Sequence, residues 1–220
     1  MSIAAQIRDI SSSFPEGVRL IAVSKTLLVE AIMEAYNAGQ RLFGENRPQE
    51  LLQKAAQLPN DIEWHFIGHL QTNKVKIIIA KVHLIHAVDS ERLLKEIEKE
   101  AAKQGMVVSC LLQVHIAQEE TKFGFSPEEL QAFLHSGILS AVPHVKIAGL
   151  MAMASFTENH EQVRNEFRLL KQLFEQVKAT YFSCDNNFRE LSMGMTSDYP
   201  IAIDEGATLV RIGTAIFGPR

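Results

Sequence analysis

A chain of 220 residues is long enough for one large domain, and a hydrophobic fraction of 46% is enough for a sizeable core. The formal net charge of −4 arises from interspersed acidic and basic residues, which argues against partners that need a basic surface, such as nucleic acid or an anionic membrane. We also expect a cytoplasmic location, because Cys110 and Cys184 have no Cys-x-x-Cys spacing, residues 1–10 lack a hydrophobic signal core, and every apolar run is too short to cross a bilayer.

Short β-rich runs alternate with longer segments of helical periodicity along the whole chain. An extra helix over residues 2–12 precedes the first strand. The predicted strands are Arg19–Val23, Arg41–Phe43, Glu63–Ile67, His83–Val88, Val107–His115, Lys146–Met151, Glu190–Met193 and Leu209–Ile212. The predicted helices between them are Val29–Ala38, Pro48–Ala56, Asn73–Ala80, Glu91–Lys103, Pro127–His135, Glu158–Ala179 and Asp198–Gly206. Ser90 and Ser126 are expected to cap helix starts, and Gly39 and Gly105 to end helices.

Eight strands with seven intervening helices predict an α/β fold, a single (β/α)₈ TIM barrel over residues 1–220. An open, doubly wound sheet is the alternative. It is disfavoured because Val23 is followed by Ser24, Lys25 and Thr26 and not by a glycine-rich dinucleotide loop.

Lys25 is the first candidate functional residue, because function in such barrels collects where strands end. It follows the apolar strand Leu20–Val23, so its amine is expected to lie against the apolar top of the barrel and to lose hydration. Such an amine can form a Schiff base with an aldehyde cofactor or a carbonyl substrate. From spacing alone, a solvated lysine that ends a strand is the simpler interpretation.

The loops after the seventh and eighth strands are the second candidate feature. Ser192–Met195 and Arg211–Thr214 each combine a glycine with a hydroxyl residue, in the loops that most often bind phosphate in barrels. A helix expected to begin near Thr196 would point its positive end at the same place. Two ordinary turns are the alternative. Because these strands neighbour the first one, a phosphorylated aldehyde could span from the loops to Lys25, and pyridoxal 5′-phosphate (PLP) is the obvious candidate.

The motifs together resemble the YggS/PROSC family of PLP-binding homeostasis proteins, over about residues 18–218. The matching segments are Val23-Ser24-Lys25-Thr26, Phe43-Gly44-Glu45-Asn46, Trp64-His65-Phe66-Ile67-Gly68 with Leu70-Gln71 and Asn73-Lys74, Gly149-Leu150-Met151, Leu191-Ser192-Met193-Gly194-Met195 and Val210-Arg211-Ile212-Gly213-Thr214. The short N-terminus and the overall length resemble the cyanobacterial, PipY-like members.

The resemblance implies a barrel of the alanine racemase N-terminal domain type, with Lys25 as the covalent aldimine. It also implies that the cofactor is bound by Asn46, Ser192, Met193, Gly194, Arg211, Gly213 and Thr214. Arg211 is expected to face the pyridine nitrogen, where a guanidinium can donate a hydrogen bond but discourages protonation of the ring. His69 and His115 stand at positions where the family varies or commonly has asparagine. Lys74 matches the family, but no role for it follows from its chemistry.

Three functions fit these residues. The resemblance implies a PLP-binding protein of intracellular vitamin B6 and amino-acid homeostasis, without robust catalysis, with PLP-dependent apoenzymes as recipients. A PLP-dependent racemase would need a second acid/base, which related enzymes take from a tyrosine of an added β-domain. We expect no such domain here, because the sequence ends soon after the eighth strand, and we expect Tyr199 to pack. A Schiff-base aldolase or phosphosugar-binding barrel would need a carboxylate near the lysine, and Glu45 and Asp89 are better explained as loop or cap residues.

The same reasoning predicts a monomer and no metal site. His65/His69 and His83/His86 have spacings that metals use, but they lie along predicted strands and loops without an evident third ligand.

Overall fold

The computed structural model describes residues 2–119 and 123–219, and its strands form one closed parallel barrel in chain order. The strands are β1 Arg19–Val23, β2 Leu42–Glu45, β3 Glu63–Phe66, β4 Leu84–Val88, β5 Val108–Gln113, β6 Val145–Met151, β7 Glu190–Ser192 and β8 Leu209–Ile212. The barrel closes where β1 pairs with β8, from Arg19 opposite Leu209 to Ala22 opposite Ile212. The predicted barrel is confirmed, and the open sheet is excluded.

The helices form the outer layer. They are α1 Ile3–Ser12, α2 Val29–Asn37, α3 Pro48–Ala55, α4 Val75–Ile78, α5 Glu91–Gln104, α6 Pro127–His135, α7 His160–Tyr181, α8 Tyr199–Asp204 and α9 Thr214–Phe217. Two 3₁₀ turns, Thr72–Lys74 and Ile138–Ala141, complete the described helical segments. No helix within the described ranges is long and apolar enough to cross a membrane.

The helix ends show why these segments fold as they do. Ser90 accepts a hydrogen bond from the Leu93 amide, and Ser126 forms a capping box with Glu129 at the start of α6. Gly105 ends α5 in the left-handed conformation, at φ 62°. These caps are where the sequence predicted them.

Several predicted boundaries were wrong by one or more residues, and three of them have a clear structural reason. The helix expected over Asn73–Ala80 is a 3₁₀ turn followed by one α-helical turn. The strand expected to run to His115 ends at Gln113, because the chain beyond pairs instead with Phe125. The helix expected to begin near Thr196 starts at Tyr199, after a turn whose backbone bonds return to Met195.

Most of the apolar core lies between the barrel and its helices, and a smaller cluster fills the barrel interior. The interior also contains polar side chains, since His65, His86, Ser192 and Arg211 are all at most 5% exposed. Buried polar groups need partners. The interior polar residues therefore form hydrogen bonds to one another, as described below.

Candidate functional site at the carboxyl ends of the strands

A cavity of about 670 Å³ opens at the carboxyl ends of the strands. This is a volume typical of small-molecule sites. Its lining residues are Val23, Lys25, Asn46, Ile67, Gly68, His69, Gln113, Phe123, Met153, Met195, Thr196, Ser197, Arg211, Gly213 and Thr214. Five of the eight predicted cofactor-binding residues are among them, namely Lys25, Asn46, Arg211, Gly213 and Thr214.

Lys25 lies in the turn after β1 and lines the cavity with an exposed side chain. The expectation that its amine is held away from water against the apolar top is therefore wrong. The strand ends at Val23, and the next residues turn outward. Thr26 takes the left-handed conformation at φ 64°, which is rare for a β-branched residue and marks a turn held by its surroundings.

A buried charge network holds both neighbours of Lys25. The Lys54 ammonium donates to the Ser24 carbonyl at 2.8 Å and to Glu45 Oε1 at 2.8 Å, and the Ser24 hydroxyl donates to the same carboxylate oxygen at 2.5 Å. On the other side of Lys25, the Thr26 amide donates to Glu50 Oε2 at 2.8 Å. Glu50 also lies 3.3 Å from Lys54. The turn is therefore fixed at two points by one network.

Burial raises the pKa of Glu45, against the lowering effect of its bonds to Lys54 and Ser24. The second oxygen, Oε2, has no hydrogen-bond partner among the described residues. The sequence interpretation of Glu45 as a loop residue missed this network. Lys54 was missed too, because a lysine in a helix is usually solvated, whereas here only 7% of its side chain is exposed.

The loops after β7 and β8 are joined by backbone and side-chain bonds. The Arg211 amide donates to the Gly194 carbonyl at 3.0 Å, and the Gly213 amide donates to Thr196 Oγ1 at 3.4 Å. Gly194 has φ 89°, and a Cβ atom there would lie 2.6 Å from the Cβ of Ala202. Only glycine permits this close approach.

Ser192, Met193 and Gly194 were predicted to contact the cofactor, but the described cavity lining does not include them. Ser192 and Met193 are fully buried. The residues of this loop that reach the cavity are Met195, Thr196 and Ser197, which directly follow Gly194.

Arg211 reaches the cavity from inside the barrel. Its guanidinium donates to Ser192 Oγ at 2.5 Å and to the Ala152 carbonyl at 2.9 Å. Burial lowers the pKa of Arg211 to about 10, so the group stays protonated at neutral pH. Arg211 is thus a fixed cation and hydrogen-bond donor at the floor of the cavity.

Two buried histidines extend this hydrogen-bonded row through the barrel. His86 Nδ1 lies 2.9 Å from Ser192 Oγ, and His86 Nε2 lies 2.8 Å from His65 Nδ1. Burial lowers the pKa of His65 to about 3 and the pKa of His86 well below its usual value, so both rings are neutral. The sequence singled out these histidines only for metal spacing. Their inward positions on neighbouring strands were the signal that could have revealed the row.

The opposite rim carries His69 and Phe123, which the sequence did not assign to the site, and Asn46, which it did. His69 Nδ1 lies 3.0 Å from Asp89 Oδ2, and the His69 ring stacks on Phe123 with centroids 4.3 Å apart. Asn46 reaches the cavity because Gly68 has no side chain, since a Cβ there would lie 2.6 Å from the Asn46 Cβ. Tyr199 packs against Phe14 and is not among the described lining residues, as expected.

Lys74 and His115 lie outside the described lining of the cavity. Lys74 closes the 3₁₀ turn before α4. His115 Nε2 lies 2.9 Å from the Glu119 carbonyl. Neither contact gives these residues a role in the site.

Comparison with known proteins finds relatives over nearly the whole chain. The family described as "Alanine racemase, N-terminal domain" matches residues 1–220. A pyridoxal phosphate homeostasis protein of Aquifex aeolicus is 45% identical over 203 residues, which cover 92% of this chain and 87% of the relative.

Solved structures agree with the sequence comparison. PipY of Synechococcus elongatus PCC7942 without PLP superimposes with a TM-score of 0.92 at 38% identity, covering 99% of this chain and 100% of PipY. The structure of PipY with PLP bound gives a TM-score of 0.89 at 37% identity over the same shares of both chains. The resemblance drawn from the motifs is confirmed. The chain therefore belongs to the alanine racemase N-terminal domain family and, within it, to the pyridoxal phosphate homeostasis proteins.

Proposed function

We propose that this protein binds PLP covalently, as a Schiff base on Lys25, and serves vitamin B6 and amino-acid homeostasis without robust catalysis of its own. The observation that carries the proposal is one cavity of about 670 Å³ lined by a primary amine, a buried guanidinium and a phosphate-type glycine–hydroxyl loop. The relatives named pyridoxal phosphate homeostasis proteins and the PLP-bound structure of PipY support the choice of ligand.

The residues present fit the phosphate and the aldehyde of PLP. Gly213 and Thr214, with Thr196 and Ser197 across the loop, offer backbone and hydroxyl donors for the phosphate. Lys25 offers the amine for the aldehyde carbon. We expect Ser192, Met193 and Gly194 to support the phosphate loop from behind, because their side chains or backbone hold its geometry.

Arg211 would limit the chemistry of a bound cofactor. PLP supplies an electron sink, which is strong only when its ring nitrogen is protonated. A guanidinium can only donate a hydrogen bond, so Arg211 opposes that protonation. Asn46, on the opposite rim of the cavity, is the uncharged side chain that we assign to the ring substituents.

The remaining lining favours a carrier over an enzyme. The described lining residues with ionisable side chains are Lys25, His69 and Arg211, and they include neither a tyrosine nor a carboxylate. A racemase would need a second acid/base opposite the lysine, and an aldolase would need a carboxylate near it. The exposed side chain of Lys25 also suits exchange of the cofactor with PLP-dependent apoenzymes. We propose that a monomer performs this exchange.

The first test is the visible absorbance of purified protein incubated with PLP, before and after borohydride, followed by mass spectrometry of the reduced peptides. We expect an absorbance band that borohydride removes and a pyridoxyl mass on Lys25. Lys25→Ala should lose both signals, whereas Lys81→Ala, an exposed lysine outside the described cavity lining, should keep them. A wild-type protein that forms no adduct would refute the proposed cofactor.

The second test separates carrier from enzyme. PLP-loaded protein is mixed with a PLP-dependent apoenzyme, and recovery of that enzyme's activity is followed beside amino-acid racemisation by the loaded protein alone. Transfer without racemisation is the expected result. His69 is the one described lining residue placed to act as a second proton-transfer group, so racemisation that His69→Ala abolishes would establish the racemase alternative.

A further inference from the structure

Three potential metal ligands meet at the amino-terminal end of the barrel, opposite the cavity. Glu63 and His65 lie two residues apart on β3, so their side chains share one face of that strand. His83 directly precedes β4, whose Leu84 is paired with His65. Each residue offers one ligand atom within 4.8 Å of the other two. The topology thus gathers a third ligand that the sequence spacing alone did not reveal.

His65 supplies an unsatisfied buried nitrogen in this cluster. Its Nδ1 is engaged by His86 at 2.8 Å, but its Nε2 has no hydrogen-bond partner among the described residues. The residue is only 1% exposed. An unpaired buried polar atom is costly and calls for a partner, such as a water molecule or an ion. The pattern of one ring nitrogen bonded to a neighbour and the other left open is also that of metal-binding histidines.

The other two ligands can close around an ion. His83 Nε2 lies 3.5 Å from Glu63 Oε2, close to the roughly 3.4 Å spacing that ligands have around tetrahedral zinc with bonds of about 2.1 Å. Their side chains are 53% and 40% exposed, so each can rotate toward His65. The His65 and His83 rings already lie with centroids 5.6 Å apart.

We propose that Glu63, His65 and His83 form a divalent metal site with an open fourth position, for an ion of the zinc type. Two imidazoles and one carboxylate suit zinc, whereas magnesium and calcium require oxygen ligands. Arg19, Lys146 and Arg189 line the small cavity beside His65 and oppose a cation, but Arg19 and Arg189 are both ion-paired with Glu190, at 2.5 and 3.3 Å. The ion would join β3 to the start of β4.

The test is calorimetric titration of cofactor-free protein with zinc, in a Cys184→Ser background that removes the exposed thiol. We expect one zinc per chain and none of the corresponding heat with magnesium. Glu63→Gln and His83→Ala should each weaken zinc binding by at least about 10–100-fold, the loss that even an outer-sphere partner causes. His160→Ala, at an exposed histidine on α7, is the matched control and should leave binding unchanged.

Thermal unfolding gives an independent measurement, since an ion that binds only the folded chain raises the melting temperature. Zinc should raise it in the parent protein and the His160→Ala control, but not in Glu63→Gln or His83→Ala. Absence of stoichiometric zinc binding, or binding that survives both substitutions, would overturn the proposed site. Both side chains are partly exposed, so the variants are expected to fold.

Discussion

At the scale of single residues, Gly149 shows how tightly the barrel is built. A Cβ atom on Gly149 would lie 1.8 Å from the carbonyl oxygen of Glu190, and its φ of 152° is one that other residues rarely adopt. The glycine thus sets the distance between β6 and β7, the strand that leads into the phosphate loop.

We expect Gly149→Ala to lower the free energy of unfolding by about 3 kcal/mol or more, because overpacking adds to backbone strain. Gly39→Ala is the matched control, since Gly39 has φ 100° but a methyl group added there would meet nothing within 4 Å. It should cost only the strain of a left-handed residue, about 1–2 kcal/mol. Urea unfolding of both variants checks the difference, and equal losses would contradict the steric explanation.

The buried histidines predict a pH dependence of stability. Burial, reinforced by electrostatic effects of His83 and Arg19, lowers the pKa of His65 to about 3, and burial lowers the pKa of His86 as well. In the unfolded chain both titrate near pH 6.5, so the unfolded state binds more protons below that pH. The free energy of unfolding should therefore fall as the pH falls from about 6.5, by up to about 1.4 kcal/mol per pH unit for each histidine.

Urea unfolding between pH 6.5 and 5, with a chelator present, measures this slope. His65→Gln should reduce the slope by up to the contribution of one bound proton, about 1.4 kcal/mol per pH unit. The same change at exposed His160 should leave the slope unaltered. Glu45, whose raised pKa acts with the opposite sign, is common to all three proteins and cancels in the comparison. A slope that His65→Gln does not change would mean that His65 is charged in the folded protein.

At the scale of elements, α3 acts as the support of the Lys25 turn. The helix carries Glu50 and Lys54, which bond to the backbone on either side of Lys25. Placing the supports on a helix and the amine on a turn fixes the position of the amine while leaving its side chain at the cavity mouth.

We expect Glu50→Ala to weaken PLP binding by about 10-fold. The Thr26 amide would lose its charged acceptor, a hydrogen bond that contributes about 1.5 kcal/mol to holding the turn that positions Lys25. The binding constant from absorbance titration gives the measurement. Glu30→Ala, at an exposed glutamate in the first turn of α2, is the control and should bind PLP like the parent protein. Equal affinities for Glu50→Ala and Glu30→Ala would show that the turn needs no support from α3.

Whether a segment is a strand or a helix was predictable from the sequence, because the hydrophobic periodicities are strong and the helix ends carry the usual capping residues. All eight strands and the helices between them were found, with β1, β8 and α6 at their observed bounds. Short elements were harder. The single-turn α9 follows β8 directly and carries no periodic signal, and α8 starts late because the Met195 turn takes up the residues before it.

The site was predictable in part. Lys25, Arg211 and the Gly213–Thr214 loop lie at strand ends, which the fold places at one mouth. Other interactions join residues that are distant in sequence. They are the bonds of Lys54, the row from Arg211 to His65 and the stacking of His69 on Phe123. Spacing along one chain carries no information on such contacts, so Ser192 was expected at the phosphate while its hydroxyl in fact bonds Arg211 and His86.

At the scale of the whole molecule, the extent of strand pairing differs around the barrel. β5 and β6 are paired over six positions, whereas β7 and β8 share one paired position, Ser192 opposite Leu209. Three backbone hydrogen bonds also join β7 and β8 with their ends, from the amides of Thr208, Met193 and Arg211 to the carbonyls of Leu191, Leu209 and Gly194. This short contact between β7 and β8, here called the seam, lies directly beneath the loops that we assign to the phosphate.

Hydrogen exchange should therefore be faster in β7 than in β5, because local opening at the seam needs less free energy than global unfolding. Saturating PLP should slow the exchange of β7 amides more than that of β5 amides, since the ligand ties the two loops together. Mass-spectrometric exchange of the free and loaded protein measures both effects. Equal protection of β5 and β7 in the free protein would argue that the helices outside the barrel hold the seam closed.

The row from Arg211 through Ser192 and His86 to His65 has a direction. When the Ser192 hydroxyl donates its hydrogen bond to His86, His86 must donate to His65, and the outer His65 nitrogen carries a hydrogen. When that nitrogen is bare, as a bound metal requires, each ring donor reverses and the Ser192 hydrogen turns toward another acceptor. A metal at His65 would therefore set the tautomers of both histidines and turn the hydroxyl of the buried Ser192, which supports the phosphate loop from behind, away from His86. If that turn of the hydroxyl favours the loop geometry that binds the phosphate, the metal and the phosphate would each raise the affinity of the protein for the other by an equal factor, as linkage demands of two ligands that share one equilibrium.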